Sequence, residues 1–87
     1  MREILKNRIY KHFKGDYYLV LDFALNNEDD KNYVIYKALY GNGQLFIRPY
    51  EDFAGKVNID KYPNHIQEFK FELQNIESLN NTHKEGR

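Results

Sequence analysis

The chain has 87 residues and a mass of 10.5 kDa, and its 13 basic and 13 acidic side chains balance to a formal net charge of +0. A domain of this size buries about 60 to 65% of its unfolded surface, so we expect a thin core. The chain contains no cysteine, which excludes disulfides, thiolate nucleophiles and cysteine-ligated metal sites. It has no long apolar run and no secretory signal pattern, so we expect a cytoplasmic protein without a membrane segment.

The first half of the chain predicts one strand between two turns. Residues 1–8 carry weak periodicity and are expected to be a loosely ordered lead-in. Lys14-Gly15-Asp16 is typical of a tight turn, and the polar residues 26–32 of a hairpin connection. The run between them favours a β-strand with one apolar face, formed by Tyr17, Leu19, Leu21, Phe23 and Leu25.

The second half predicts further strands and one helical turn. Residues 33–40 favour a strand, and Gly41-Asn42-Gly43 favours a reversal into a third strand over residues 44–48. Pro49 cannot donate a ladder hydrogen bond, so residues 50–54 are expected to form a single helical turn. Two more strands are predicted at 56–59 and 68–73. Residues 77–87 contain one large apolar residue and are expected to be disordered. The pattern predicts a mainly β fold, a small barrel of about five strands formed by residues 9–76.

Several motifs lie at spacings that resemble those of one protein family. They are Tyr10-x-His12-Phe13-Lys14-Gly15-x-x-Tyr18, then Tyr36-x-Ala38-Leu39-Tyr40-Gly41, Arg48-Pro49 and Phe53. Together they resemble the bacterial domain-of-unknown-function 1653 family, over most of residues 9–76. The resemblance implies a small stand-alone bacterial protein with an SH3-like or partly open β-barrel, and it implies no activity.

Six side chains are candidate ligand contacts. The tyrosines offer surfaces on which a ligand can stack, and the cations offer positive charge. The imidazole offers a hydrogen bond that can switch with pH near its ordinary pKa of about 6.5. The candidates are Tyr10, His12, Lys14, Tyr36, Tyr40 and Arg48. Structural roles stay open for all of them: the tyrosines as core packing, His12 as an internal hydrogen bond, and Arg48 as the partner of Glu51 or Asp52.

Three functions are compatible with these residues. We favour a non-enzymatic binding or adaptor module that recognises a peptide or a small anionic ligand. The first alternative is an accessory domain for RNA or single-stranded nucleic acid, because residues 1–16 carry five basic and two acidic side chains. The second is an enzyme that uses His12 as a base while Arg48 holds an anion.

We expect no catalytic residue, cofactor or metal, since the three histidines lack ligand spacing and no serine precedes Ser78. A monomer is favoured, and neither the ligand nor the partner is identified by the sequence.

Overall fold

Five strands form one antiparallel sheet in the computed structural model, which describes residues 2–76. The elements are β1 (Ile9–His12), β2 (Tyr17–Asn26), β3 (Lys31–Ala38), β4 (Leu45–Pro49), the short helix α1 (Tyr50–Phe53) and β5 (Phe71–Leu73). Their order across the sheet is β4-β3-β2-β1-β5. The predicted mainly β fold with five strands and one helical turn is confirmed. No helix in the described part of the chain is long and apolar enough to cross a membrane.

The sheet is not closed into a barrel, and β4 and β5 form its two edges. It is nevertheless curled, because the Arg48 guanidinium of β4 lies 5.1 Å from the ring centroid of Phe71 in β5. Neighbouring strands are about 4.8 Å apart, so the edges of a flat five-stranded sheet would be about 19 Å apart. Curling brings side chains of the opposite edges together over the concave face.

The concave face of the sheet holds an aromatic core. Phe53 of α1 stacks on Phe71 with ring centroids 4.0 Å apart and planes at 7°. Tyr10 meets the Phe53 ring edge-on at 5.5 Å. The full buried cluster is Ile4, Tyr10, Val20, Val34, Tyr36, Phe53, Ala54 and Phe71. Because each aromatic ring buries a large area, few side chains suffice to fill this small interior.

The N-terminal segment packs on this core over residues 2–8, where a loosely ordered lead-in was expected. Ile4 is 2% exposed and belongs to the core cluster. Its backbone N–H donates to the Tyr50 hydroxyl at 2.7 Å, and the Leu5 N–H donates to the Tyr10 hydroxyl at 2.8 Å. Arg2 donates from Nε to the Ala54 carbonyl at 3.1 Å. Tyrosine hydroxyls thus accept hydrogen bonds from the backbone N–H groups of a segment whose own periodicity is weak.

The single apolar face predicted for β2 is interrupted by a β-bulge. The register with β3 shifts between Val20 and Asp22, so that Leu21 is an extra residue. One inserted residue moves the following side chains to the other face of the sheet. Val20 is therefore fully buried before the bulge and Phe23 packs against the core after it, while Tyr17 is 41% exposed.

Two predicted strand positions near the C-terminal end are also corrected. The strand expected at 56–59 is wrong, because this stretch forms only an isolated bridge between Lys56 and Phe69. The closing strand is shorter than the predicted 68–73 and spans Phe71–Leu73. The missing strand is β1, which pairs with both β2 and β5. Residues 77–87, expected to be disordered, lie outside the described residues.

Candidate anion-binding cleft

A cleft of about 390 Å³ opens beside the turn between β1 and β2. We call it the cationic cleft because four of its lining side chains carry a positive charge and none is a carboxylate. It is lined by His12, Phe13, Lys14, Arg48, Asn58, Lys61, Tyr62 and Lys70.

The β1–β2 turn sets one wall of the cationic cleft. The His12 N–H donates to the Asp16 carbonyl at 2.8 Å, and the Gly15 N–H donates to the His12 carbonyl at 2.8 Å. Gly15 has a φ of 113°, a backbone conformation that side-chain-bearing residues rarely adopt. The tight turn predicted for residues 14–16 is confirmed, and it places Lys14 next to the end of β1.

The opposite wall comes from the segment between α1 and β5. The Phe13 N–H donates to the Lys70 carbonyl at 2.9 Å, which fastens the turn to the start of β5. The Val57 N–H donates to the Glu68 carbonyl at 2.9 Å and folds the intervening loop back on itself. This loop supplies Lys61 and Tyr62 to the cleft.

Arg48 and Lys70 share a single carboxylate. Arg48 donates from Nε to the Tyr36 hydroxyl at 3.0 Å and from Nη1 to Asp52 Oδ2 at 2.6 Å. Lys70 donates from Nζ to the other oxygen, Asp52 Oδ1. Burial alone would raise the pKa of Asp52, but the hydrogen bonds from Lys70 and Arg48 outweigh it and lower the pKa below its ordinary value.

The charges around the cationic cleft therefore leave a local excess. The four positive charges are those of Arg48, Lys70, Lys14 and Lys61, and the two negative charges are those of Asp52, which pairs with two of them, and Asp16, which acts on the pKa of His12, so four minus two gives +2. This excess is confined to one part of a chain whose formal net charge is +0. A focused positive potential of this kind favours anions locally without making the whole surface basic.

The surroundings of His12 favour its neutral form. Burial lowers its pKa, and the positive charges of Arg48 and Lys14 lower it further. Its Nδ1 accepts a hydrogen bond from the Lys14 backbone N–H at 3.1 Å. A neutral imidazole that accepts at Nδ1 carries its proton on Nε2, which leaves that N–H as its hydrogen-bond donor.

Aromatic rings and lysines alternate on the outer side of the cleft. Phe13 meets Tyr62 at 4.9 Å and His65 at 5.0 Å between ring centroids. Lys14 Nζ and Lys61 Nζ lie 5.3 and 5.4 Å from the Tyr62 centroid. A hydrogen bond from Lys14 lowers the pKa of Tyr62. The wall thus combines apolar ring faces with two positive charges.

The structure brings together three of the six candidate residues. His12, Lys14 and Arg48 line the cationic cleft. We expected Tyr10 and Tyr36 to face a ligand, but they are 1% and 4% exposed in the core. Their hydroxyls point at internal donors, the Leu5 N–H and Arg48, so neither ring has a free face.

Tyr40 is a different case. It is 45% exposed, but it does not line the cleft. Its hydroxyl lies 2.8 Å from that of Tyr18, and the two rings meet edge-on at 5.6 Å. Burial raises the pKa of Tyr18, and the hydrogen bond with Tyr40 raises it further. Tyr40 therefore covers the rim of the aromatic core.

Sequence reasoning missed five of the eight lining residues, namely Phe13, Asn58, Lys61, Tyr62 and Lys70. One signal was present: a lysine adjoins an aromatic residue at both Phe13-Lys14 and Lys61-Tyr62. The approach of Lys70 to Asp52 carries no such signal, because it depends on tertiary packing. Within residues 2–76, no group of three or more potential metal ligands is clustered.

Comparisons with known proteins address the fold and the family. The sequence profile of a family described as "Protein of unknown function (DUF1653)" matches residues 8–72. The crystal structure of a protein belonging to that family, from Bordetella bronchiseptica, is similar with a TM-score of 0.66 and 23% identity, over 85% of this chain and 92% of that chain. At this identity the likeness shows the fold alone. No curated protein matches the sequence.

Proposed function

We propose that this chain, which belongs to the DUF1653 family of proteins of unknown function, is a small binding module for an anionic ligand. The observation that carries the proposal is the cationic cleft, where four positively charged side chains and no carboxylate line the space. Asp52 pairs with Arg48 and Lys70 but leaves the remaining positive charges uncompensated, and these repel one another unless an anion joins them. The local excess of positive charge therefore favours a bound anion.

Size and shape narrow the ligand to a small molecule. Ligand pockets commonly enclose about 300 to 1,000 Å³, and the cationic cleft, at about 390 Å³, lies near the lower end. A guanidinium and several ammonium groups suit the oxygens of a phosphate or carboxylate. Phe13 and Tyr62 add apolar surface next to these charges. A phosphate or carboxylate attached to a compact ring combines both features.

Binding explains His12 better than catalysis does. A general base works best when a partner raises its basicity and its pKa lies near the working pH. His12 is instead oriented by a backbone N–H of Lys14, and burial and two cations lower its pKa. These surroundings suit a neutral donor that hydrogen-bonds an anion, so we propose no catalytic step.

Titration calorimetry with phenyl phosphate at low ionic strength tests the proposal. Lys14→Gln and Lys61→Gln each remove one exposed cation from the cleft and should weaken binding about fivefold, which corresponds to about 1 kcal/mol. Lys6→Gln is the matched control, because Lys6 pairs with Asp22 at the other end of the β1–β2 hairpin. Absence of binding by the unaltered protein, or equal weakening by all three variants, would contradict the proposal.

A second function is favoured by the alternation of rings and lysines at Phe13-Lys14 and Lys61-Tyr62. Single-stranded nucleic acid is bound by such surfaces through base stacking and phosphate contacts. Oligonucleotides of increasing length distinguish the two. The affinity of a small-ligand site should not increase when the oligonucleotide is longer than one nucleotide. The affinity of a strand-binding surface should increase with oligonucleotide length and fall steeply as the salt concentration rises. Binding of an acidic peptide is measured in the same series as a third class of anionic ligand.

We also propose a finer description of the fold as a partly open, SH3-like barrel. The approach of Arg48 on β4 to Phe71 on β5 supports it, because the two sheet edges come within side-chain reach of each other.

A further inference from the structure

We propose that Asp52 is a built-in competitor for the ligand, so that this one carboxylate sets how tightly the cationic cleft binds an anion. The inference rests on the proposed function. Asp52 receives Arg48 on Oδ2 and Lys70 on Oδ1, so both of its oxygens are engaged by cleft cations. These are the contacts that the oxygens of an incoming phosphate or carboxylate would make.

Asp52 reaches these cations from outside the cleft. It does not line the cationic cleft, although both of its partners do. It belongs to α1, and it lines a second cavity of about 510 Å³ together with Lys31, Pro49, Tyr50 and Glu51 among others. Asp52 therefore adjoins two open spaces, with two cations in the wall of one and Asp30, Lys31 and Glu51 in the wall of the other.

This position allows the carboxylate to leave its partners. The Asp52 side chain is 37% exposed, and the side chains of Arg48 and Lys70 are 33% and 27% exposed. Ion pairs that are exposed to this degree contribute little to stability, so the cost of separating them is small. The second cavity gives Asp52 room to rotate.

Competition of this kind lowers the apparent affinity of the cleft. A ligand that must displace Asp52 binds only the fraction of molecules in which Arg48 and Lys70 are free. Removing the charge of Asp52 makes that fraction larger and also leaves the two cations without their internal anion. A neutral side chain at position 52 should therefore tighten anion binding about tenfold.

The variants Asp52→Asn and Asp22→Asn test the idea with phenyl phosphate in titration calorimetry. Both raise the net charge by one, but Asp22 pairs with Lys6 far from the cleft. We expect about tenfold tighter binding for Asp52→Asn and less than a twofold change for Asp22→Asn. Thermal unfolding of each variant verifies the fold.

A measurement on the unaltered protein keeps the test decisive if Asp52→Asn fails to fold. Release of Asp52 changes the hydrogen bonds of its carboxylate, so its ¹³C carboxyl resonance should shift as phenyl phosphate is added. A resonance that stays fixed at saturation would overturn the competition.

The failures of the two proposals are distinguishable. If neither the unaltered protein nor Asp52→Asn binds phenyl phosphate, the proposed function fails and the competition fails with it. If the unaltered protein binds and Asp52→Asn binds no tighter than Asp22→Asn, only the competition is overturned.

Discussion

The hydrogen bond from Arg48 to Tyr36 should couple the cationic cleft to the core. Tyr36 is 4% exposed, and its hydroxyl accepts from Arg48 Nε at 3.0 Å while the same guanidinium donates to Asp52. Arg48→Lys keeps the positive charge but removes the planar guanidinium, which donates to both Tyr36 and Asp52. Tyr36→Phe removes only the hydroxyl. Each change alone should destabilise the fold, and the pair should cost less than the sum.

The expected coupling follows from the burial of the two groups. A hydrogen bond to a charged group contributes about 1.5 to 3 kcal/mol when it is well shielded from water. The Arg48 side chain is 33% exposed, which weakens the interaction. We therefore expect a coupling of about 1 kcal/mol in the free energy of unfolding.

Urea unfolding of the two single variants and the double variant measures this coupling. The slopes of the transitions should stay constant, so that midpoints report stability. Tyr33→Phe is the control for Tyr36→Phe, because its hydroxyl donates to Asp29 rather than to Arg48. Additivity of Arg48→Lys and Tyr36→Phe within about 0.3 kcal/mol would refute the reasoning.

Three further variants test the core, the imidazole and a turn. Phe53→Leu should lower the free energy of unfolding in urea by about 1.5 to 3 kcal/mol, because it breaks the stack with Phe71 of β5. Phe46→Leu is the control, since Phe46 is 36% exposed and its loss should cost less than about 1 kcal/mol. Equal costs would contradict the assignment of Phe53 to the core. The pKa of His12 is lower in the folded protein than in the unfolded chain, so the unfolded chain is protonated first as the pH falls. The contribution of neutral His12 to the free energy of unfolding is therefore complete above about pH 6.5 and is lost as the pH falls toward the lowered pKa. His12→Gln should lose less stability over that range, and an unchanged pH profile would count against the assignment. Gly43→Ala should lower the Tm more than Gly41→Ala. Both residues have positive φ, but only a Cβ at Gly43 would displace the Lys37 ammonium group, which donates to the Gly43 carbonyl at 2.8 Å; equal shifts would argue otherwise.

Local signals in the sequence were sufficient for the turns and most strands. Gly41 and Gly43 have φ values of 57° and 74°, as a tight reversal requires. The bulge at Leu21 could not be read from alternation, because the strand is apolar or aromatic at nearly every position around it except Asp22, and both registers look acceptable. The burial of Ile4 was missed for a related reason: the short apolar pair Ile4-Leu5 shows no clear periodicity, and only the packed core shows that Ile4 is buried.

The candidate site was predictable in the parts that lie close together along the chain. His12 and Lys14 share a turn, and Arg48 ends a strand, so their residue types and positions marked them. Burial of Tyr10 was not predictable from its motif, since a tyrosine serves a core and a binding face equally well. Lys70 and Lys61 join the site only because the loop before β5 folds back on the β1–β2 turn.

Mapping phenyl phosphate onto the protein by two-dimensional NMR at low salt tests the central claim most directly. We expect the resonances of His12, Lys14, Arg48 and Lys70 to move together along one saturable curve, while those of Lys6 on the far side stay fixed. Shifts that scatter over the surface, or a titration that leaves the lining of the cationic cleft unmoved, would contradict the assignment of this cleft as an anion-binding site.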